Sequence, residues 1–170
     1  MDDLAEPSHQ LSDPQELLLG YLDYYRSAVA RKLHGLPEAE LRTSRLPSGW
    51  TPLQLVNHLL YMERRWLRWG FVAEHVDAPW GDIDEDDRWY VSPDATAAEL
   101  VARLDEAGER TRAIAEAADL DDLAALGGRF QTDADRPTLA WTLFHVLQEY
   151  ARHAGHLDVA RELADGQLGE

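Results

Sequence analysis

Trp141 to Arg161, WTLFHVLQEYARHAGHLDVAR, sets three histidines and a glutamate into a helical pattern. At about 100° per residue, His145, Glu149, His153 and His156 fall within an arc of roughly 80° on one face. Trp141, Leu157 and Ala160 continue that face with apolar groups, so the stripe is expected to point inward. A carboxylate there needs a partner to offset its desolvation. A metal ion is the partner that would also account for the imidazoles. Glu149 and His153 lie one turn apart, about 6 Å along the axis, and can reach one ion, whereas about 12 Å separates His145 from His153. The spacing therefore offers one ligand pair rather than four ligands.

Working outward, three more helix starts are legible. Asp13-Pro14-Gln15-Glu16 gives an N-cap, a proline at the first helical position and a capping acid, followed by Leu18, Leu22, Tyr25, Val29 and Leu33 at helical spacing and a stop at Gly35. Thr51-Pro52-Leu53-Gln54 repeats the signal, and Leu55, His58, Leu59, Met62, Trp66 and Trp69 form the inward stripe of a second helix ending near Phe71 or Glu74. Leu60 and Leu67 lie on its other side, which predicts cover on two faces, by the bundle and by a loop or second subunit. Thr96-Ala97-Ala98-Glu99 opens a third helix carrying Leu100, Leu104, Ala107, Thr111, Ile114 and Ala118. The fourth runs from about Thr138 to Leu163 and is closed by Gly166.

Between them, one helical turn is expected at Glu38 to Arg42, and Leu120 to Arg136 reads as loop. His75 to Asp94 is too long for an ordinary helix connection and too acidic for core, so it should be a crossover or lid. The expected fold is all-α, a four-helix bundle over residues 11–166 with a long crossover between the second and third helices. A mobile acidic arm at 1–10 and a short tail at 167–170 flank it.

A chain of 170 residues is one domain by prior. It contains no cysteine, so any metal must be held by imidazole and carboxylate. A formal net charge of -16 argues against nucleic acid and against an anionic membrane surface. Neither a membrane-spanning run nor a secretory leader is legible, which makes a cytoplasmic location the expectation. Lys32 is the one lysine among 16 basic residues, and alanine is abundant, a bias expected of a GC-rich genome such as an actinobacterium's.

His58 sits on an otherwise hydrophobic face. A lone histidine there is usually a satisfied core group. Paired with a Glu one turn before a His on a facing helix, it becomes the third member of a site of the kind helix bundles build, His58, Glu149 and His153. The alternatives are a hydrogen-bonded core network and a different trio using His145 or His156.

On Asn57-His58, together with the segment EYARHAGHLD at 149–158 and Arg161-Glu162, the sequence resembles the DinB-like superfamily of metal-binding four-helix bundles. The likeness covers nearly all of residues 11–166. Within the superfamily it is greatest to the actinobacterial branch related to the N-terminal domain of mycothiol-dependent maleylpyruvate isomerase. That resemblance implies zinc held by a helix-two His, a helix-four Glu and the His four residues later, which map onto His58, Glu149 and His153. Many other members place a His where this chain has Glu149. The isomerase's further C-terminal domain, which contributes to its chemistry, has no counterpart in this sequence. The resemblance thus implies the stand-alone type, metal-dependent S-transferases of detoxification that join a low-molecular-weight thiol to an electrophile. The arginine-rich composition favours mycothiol over bacillithiol as the thiol.

The implied chemistry is coherent. Three protein ligands leave a coordination position open, and a thiol there would be deprotonated by the metal's charge. Nickel or another divalent ion suits the same ligands. His156 and Arg152 are expected to support the site or contact the cofactor, Arg161 likewise unless it forms an i, i+3 surface pair with Asp158, and His145 to hydrogen-bond Glu149. Members of the superfamily are often dimers, so a homodimer is compatible with the two-sided second helix. The rivals are a metal-dependent hydrolase, with water in the open position, and a non-catalytic metal-binding stress-response module. Asp82, Asp84, Asp86 and Asp87 lack the Gly and Glu of a calcium loop and read as solvated. Trp80, Trp89 and Tyr90 either roof a pocket or anchor the loop.

Overall fold

The structure is a computed structural model that describes residues 5–169; residues 1–4, part of the expected N-terminal arm, and residue 170, the end of the tail, lie outside the described residues. Its helices are α1 (Pro14–Leu33), the short α2 (Glu38–Leu41), α3 (Pro52–Trp66), α4 (Ala97–Glu116) and α5 (Leu139–Asp165). A π turn, Leu67–Phe71, prolongs α3, and no strand forms among the described residues.

The starts lie where the caps place them. Asp13 accepts from Glu16 N at 2.9 Å, Thr51 and Thr96 head complete capping boxes, and Thr138 caps α5. Each such cap stabilises its helix by about 1 kcal/mol. Gly35 and Gly166 close α1 and α5 at φ +81° and +77°, conformations in which a side chain would be strained.

Helix directions follow from side-chain pairings. Gln15 reaches Ala115 O at 2.9 Å and Asp23 pairs with Arg112 at 2.6 Å, so α1 and α4 are antiparallel. Arg26 lies over Tyr150, Lys32 pairs with Asp158 and Arg161 donates to His34 O, so α1 and α5 run together. His58 faces His153, Glu63 meets Tyr150 and Trp66 meets His145, making α3 and α5 antiparallel. Consequently α3 and α4 are parallel, and residues 72–96 must return along the bundle as the predicted crossover. That segment runs back over α3: Asp77 O and Pro79 O accept from Arg64 and Arg65, whereas Trp89 O and Tyr90 O accept from Gln54 and Asn57.

Leu22, Val29, Leu53, Leu59, Leu104, Leu139 and Leu143 form the core. Leu60 and Leu67 are buried as well, so the second face of α3 is covered within the chain. The inward stripe expected on α5 needs correction. Its buried centre is Leu139, Leu143, Val146, Tyr150 and Leu157, and the His and Glu positions lie about a quarter turn to one side. Trp141 is further round, 50% exposed. Leu157 and Ala160 are buried as expected.

At mid-bundle each long helix contributes one side chain to a buried polar cluster that the apolar stripes gave no reason to expect. Glu63 accepts from Arg26 Nε at 3.2 Å, from Tyr150 Oη at 2.6 Å, and from Arg26 Nη2 and Thr111 Oγ1. All four are buried. Burial and Glu63 push the Tyr150 phenol well above its ordinary range, so it remains a donor.

Removing Glu63 would strand the Arg26 charge. Glu63→Ala should cost about 3–5 kcal/mol in urea unfolding. The double change Arg26→Met, Glu63→Leu should recover much of that loss, and equal losses in both variants would contradict a paired role.

Candidate metal centre

The site is built where α3, α5 and the returning crossover meet. Gln54 does double duty: its Oε1 accepts from Thr51 N at 2.9 Å in the capping box, and its Nε2 donates to Trp89 O at 2.6 Å. One turn on, buried Asn57 donates to Tyr90 O at 2.8 Å. Tyr90 N in turn donates to Asp82 O at 2.7 Å. These bonds set the crossover against the helix face that carries His58.

Asp82, within that segment, is completely buried. Its Oδ2 lies 3.0 Å from His58 Nδ1 and 3.0 Å from Arg65 Nη2, while Arg65 Nη1 takes Oδ1. Burial alone would raise the Asp82 pKa, but the bonds from His58 and Arg65 and the Arg65 charge hold it below the usual carboxylate range. An ionised carboxylate only accepts, so the proton in this bond sits on His58 Nδ1, and Nε2 is the ring nitrogen left for a metal.

On α5, His153 Nε2 lies 3.3 Å from Glu149 Oε2, and its Nδ1 lies 3.2 Å from His156 Nδ1. His58, Glu149 and His153 each offer one ligand atom, all within 4.8 Å of one another. His58 and Glu149 retain side-chain exposures of 15% and 16%, so the cluster can be reached from solvent. Trp89 covers one side, stacked on His58 at 4.4 Å and 13° and edge-on to His153 at 5.3 Å. Trp50 adds to this wall, 6.3 Å from Trp89 and 5.8 Å from His156.

Two imidazoles and a carboxylate, with the far nitrogen of each ring already engaged, are a donor set that would hold a divalent ion. The pKa of His153 is lowered to about 3 by burial and by neighbouring His58, His156 and Arg152, so at neutral pH its ring is uncharged, with one nitrogen unprotonated.

The other expected site residues are dispersed. His156 touches His153, and Arg152 is exposed on α5. No hydrogen bond joins His145 to Glu149; its ring packs 4.3 Å from Trp66 and lies flat against Trp141. Arg161 is not a surface partner of Asp158 but is buried, donating to Lys32 O and His34 O at 2.9 and 2.8 Å and pairing with Asp165. Its donors are committed to tying α5 to the end of α1, because those terminal carbonyls need partners there. Asp82 likewise corrects the reading of a solvated acidic run: Asp86 and Asp87 are exposed, whereas Asp82 is drawn in by Arg65 and His58. Neither Asp82 nor Arg65 was marked out by spacing. Of the loop aromatics, Trp89 faces the site, and Trp80 and Tyr90 are each a little under half exposed.

A family model for mycothiol-S-transferase matches residues 17–166, and the chain belongs to that family. Comparison with curated proteins and with solved structures finds no match.

The histidine environment implies a definite acid response. Unfolded histidines titrate near 6.5, so as pH falls from there toward 3 the unfolded chain binds a proton that His153 refuses, and folding weakens by up to about 1.4 kcal/mol per pH unit. His145, lowered mainly by burial, adds to the same trend. Metal-free protein should therefore lose stability between pH 6.5 and 4.5, above the range where carboxylates protonate. His153→Asn should flatten the slope of melting temperature against pH, and an unchanged slope would contradict a neutral buried His153.

Proposed function

We propose that this member of the mycothiol-S-transferase family holds a divalent ion, zinc or a substitute such as nickel, on His58, Glu149 and His153. With it the protein activates a low-molecular-weight thiol, mycothiol, for attack on an electrophile in detoxification. The observation that carries the reading is the convergence of three ligand atoms within 4.8 Å from two antiparallel helices, in a family defined by thiol transfer. An ion there would supply the charge that lowers a thiol's pKa, the nucleophile coming from a cofactor because the chain has no cysteine.

The protein's own groups have distinct tasks. Asp82 fixes the His58 tautomer, and Arg65 keeps Asp82 ionised and in register. His156 engages the far nitrogen of His153, which directs Nε2 toward Glu149. One carboxylate and two neutral imidazoles leave a divalent ion with a single net positive charge, suited to one thiolate. Trp89 and Trp50 keep water from one side, so the thiol and electrophile approach from the other.

Protein purified without an affinity tag should contain about one divalent ion per chain, and His153→Ala should lose both the ion and transfer activity. After cobalt substitution, added mycothiol should produce a sulfur-to-metal charge-transfer band. Activity retained without metal would sink the reading, and turnover in the absence of any thiol would favour metal-assisted hydrolysis. Asp82→Asn should weaken zinc affinity by about tenfold to a hundredfold in a chelator competition, because the His58 tautomer is no longer enforced. Unchanged affinity would remove Asp82 from the site.

A further inference from the structure

Arg129 is a partly buried cation without an anion. Its Nη1 is buried and meets no hydrogen-bond acceptor, and no described carboxylate pairs with it although the chain carries 32 acidic side chains. What it does touch is aromatic: its guanidinium carbon lies 4.2 Å from the Trp66 ring centre and 5.6 Å from that of Trp80. Burial and the nearby Arg65 lower its pKa, as expected for a cation lacking a counter-charge. Arg65 itself is committed to Asp82.

The position is imposed by the backbone. Arg129 N donates to Trp69 O and Gly127 N to Phe130 O, both at 3.1 Å. A Cβ on Gly128 would come within 2.0 Å of Trp69 O, so the Gly127-Gly128 turn lies directly on the π turn at the end of α3. The backbone thus presents Arg129 to the Trp66 face. That face leads to the candidate centre: Trp66 lies 4.3 Å from His145, and His145 feels Glu149 and Arg129 together. Trp80 and Trp141, each about half exposed, extend an apolar surface to solvent.

We propose that Arg129 binds the carboxylate of an apolar electrophile whose body lies along Trp66, Trp80 and Trp141. A guanidinium fork matches a carboxylate in shape and charge, and indole faces suit a weakly hydrated monoanion with an apolar tail. One unpaired positive charge, in a chain of net charge -16, disfavours a dianionic phosphate. Assigning the bound molecule as the electrophile rests on the thiol-transfer reading, but carboxylate binding does not.

The test uses the nitrogen-15-labelled full chain as purified, with its metal content measured, titrated with phenylacetate and with its neutral isostere phenylacetamide. Indole N–H signals of Trp66 and Trp80 report on Arg129, and that of Trp89 on the candidate metal centre. Phenylacetate should shift Trp66 and Trp80 saturably, with phenylacetamide at least tenfold weaker. Arg129→Gln, at matched metal content, should abolish the preference while leaving the Trp89 signal unchanged. Equal binding of acid and amide by the wild-type protein overturns the proposal, as does a response confined to Trp89 or wild-type binding by Arg129→Gln. Should the protein prove metal-free, thiol activation falls while the carboxylate preference stands to be tested on its own.

Discussion

Two consecutive helices that run the same way must be joined by a segment that returns the length of the bundle. Because α3 and α4 are parallel, residues 72–96 bear that requirement. The prolonged α3 is about 30 Å long, and an extended chain covers that in roughly ten residues. The remaining length folds into turns that carry Asp82 and Trp89 to His58. The candidate ligands come from helices, but Asp82, which bonds His58, and Trp89, which stacks on it, come from a connection that helix direction made necessary. A bundle alternating up and down would need only short links and would have no such segment at this place.

Charge is handled locally in a chain whose overall balance is strongly acidic. Among the described residues the two most buried carboxylates, Glu63 and Asp82, are each held by an arginine and by further donors. In one case the arrangement joins four helices. In the other it joins a loop, a helix and an imidazole. The contrast gives Arg129 its interest, since the same surroundings provide stacking partners and no acid.

Much of this was legible in the sequence because it is local. Capping residues fix the helix starts without reference to the rest of the chain, and the helical period brings Glu149 and His153 together within one turn. His58 could be joined to them because its face is otherwise apolar. What escaped depends on distance. Asp82 resembles its acidic neighbours at 84, 86 and 87, and only Arg65 and His58, remote in sequence, separate it from them. Glu63 and Arg26 break no apolar stripe from which they could be noticed. The quarter-turn offset of the α5 site from the core, with Trp141 left half exposed, follows the apolar repeat Leu139, Leu143, Val146, Tyr150 and Leu157, a stripe at helical spacing that runs beside the histidines.

Gln54 and Asn57 clasp the crossover by the carbonyls of Trp89 and Tyr90, which every residue type possesses. An anchor of this kind is indifferent to side-chain identity. The exposed positions of the segment are therefore open to drift by substitution while its path, and with it the scaffold of the centre, is conserved. New selectivities have a place to arise in the connection without disturbing the helices that fold the protein.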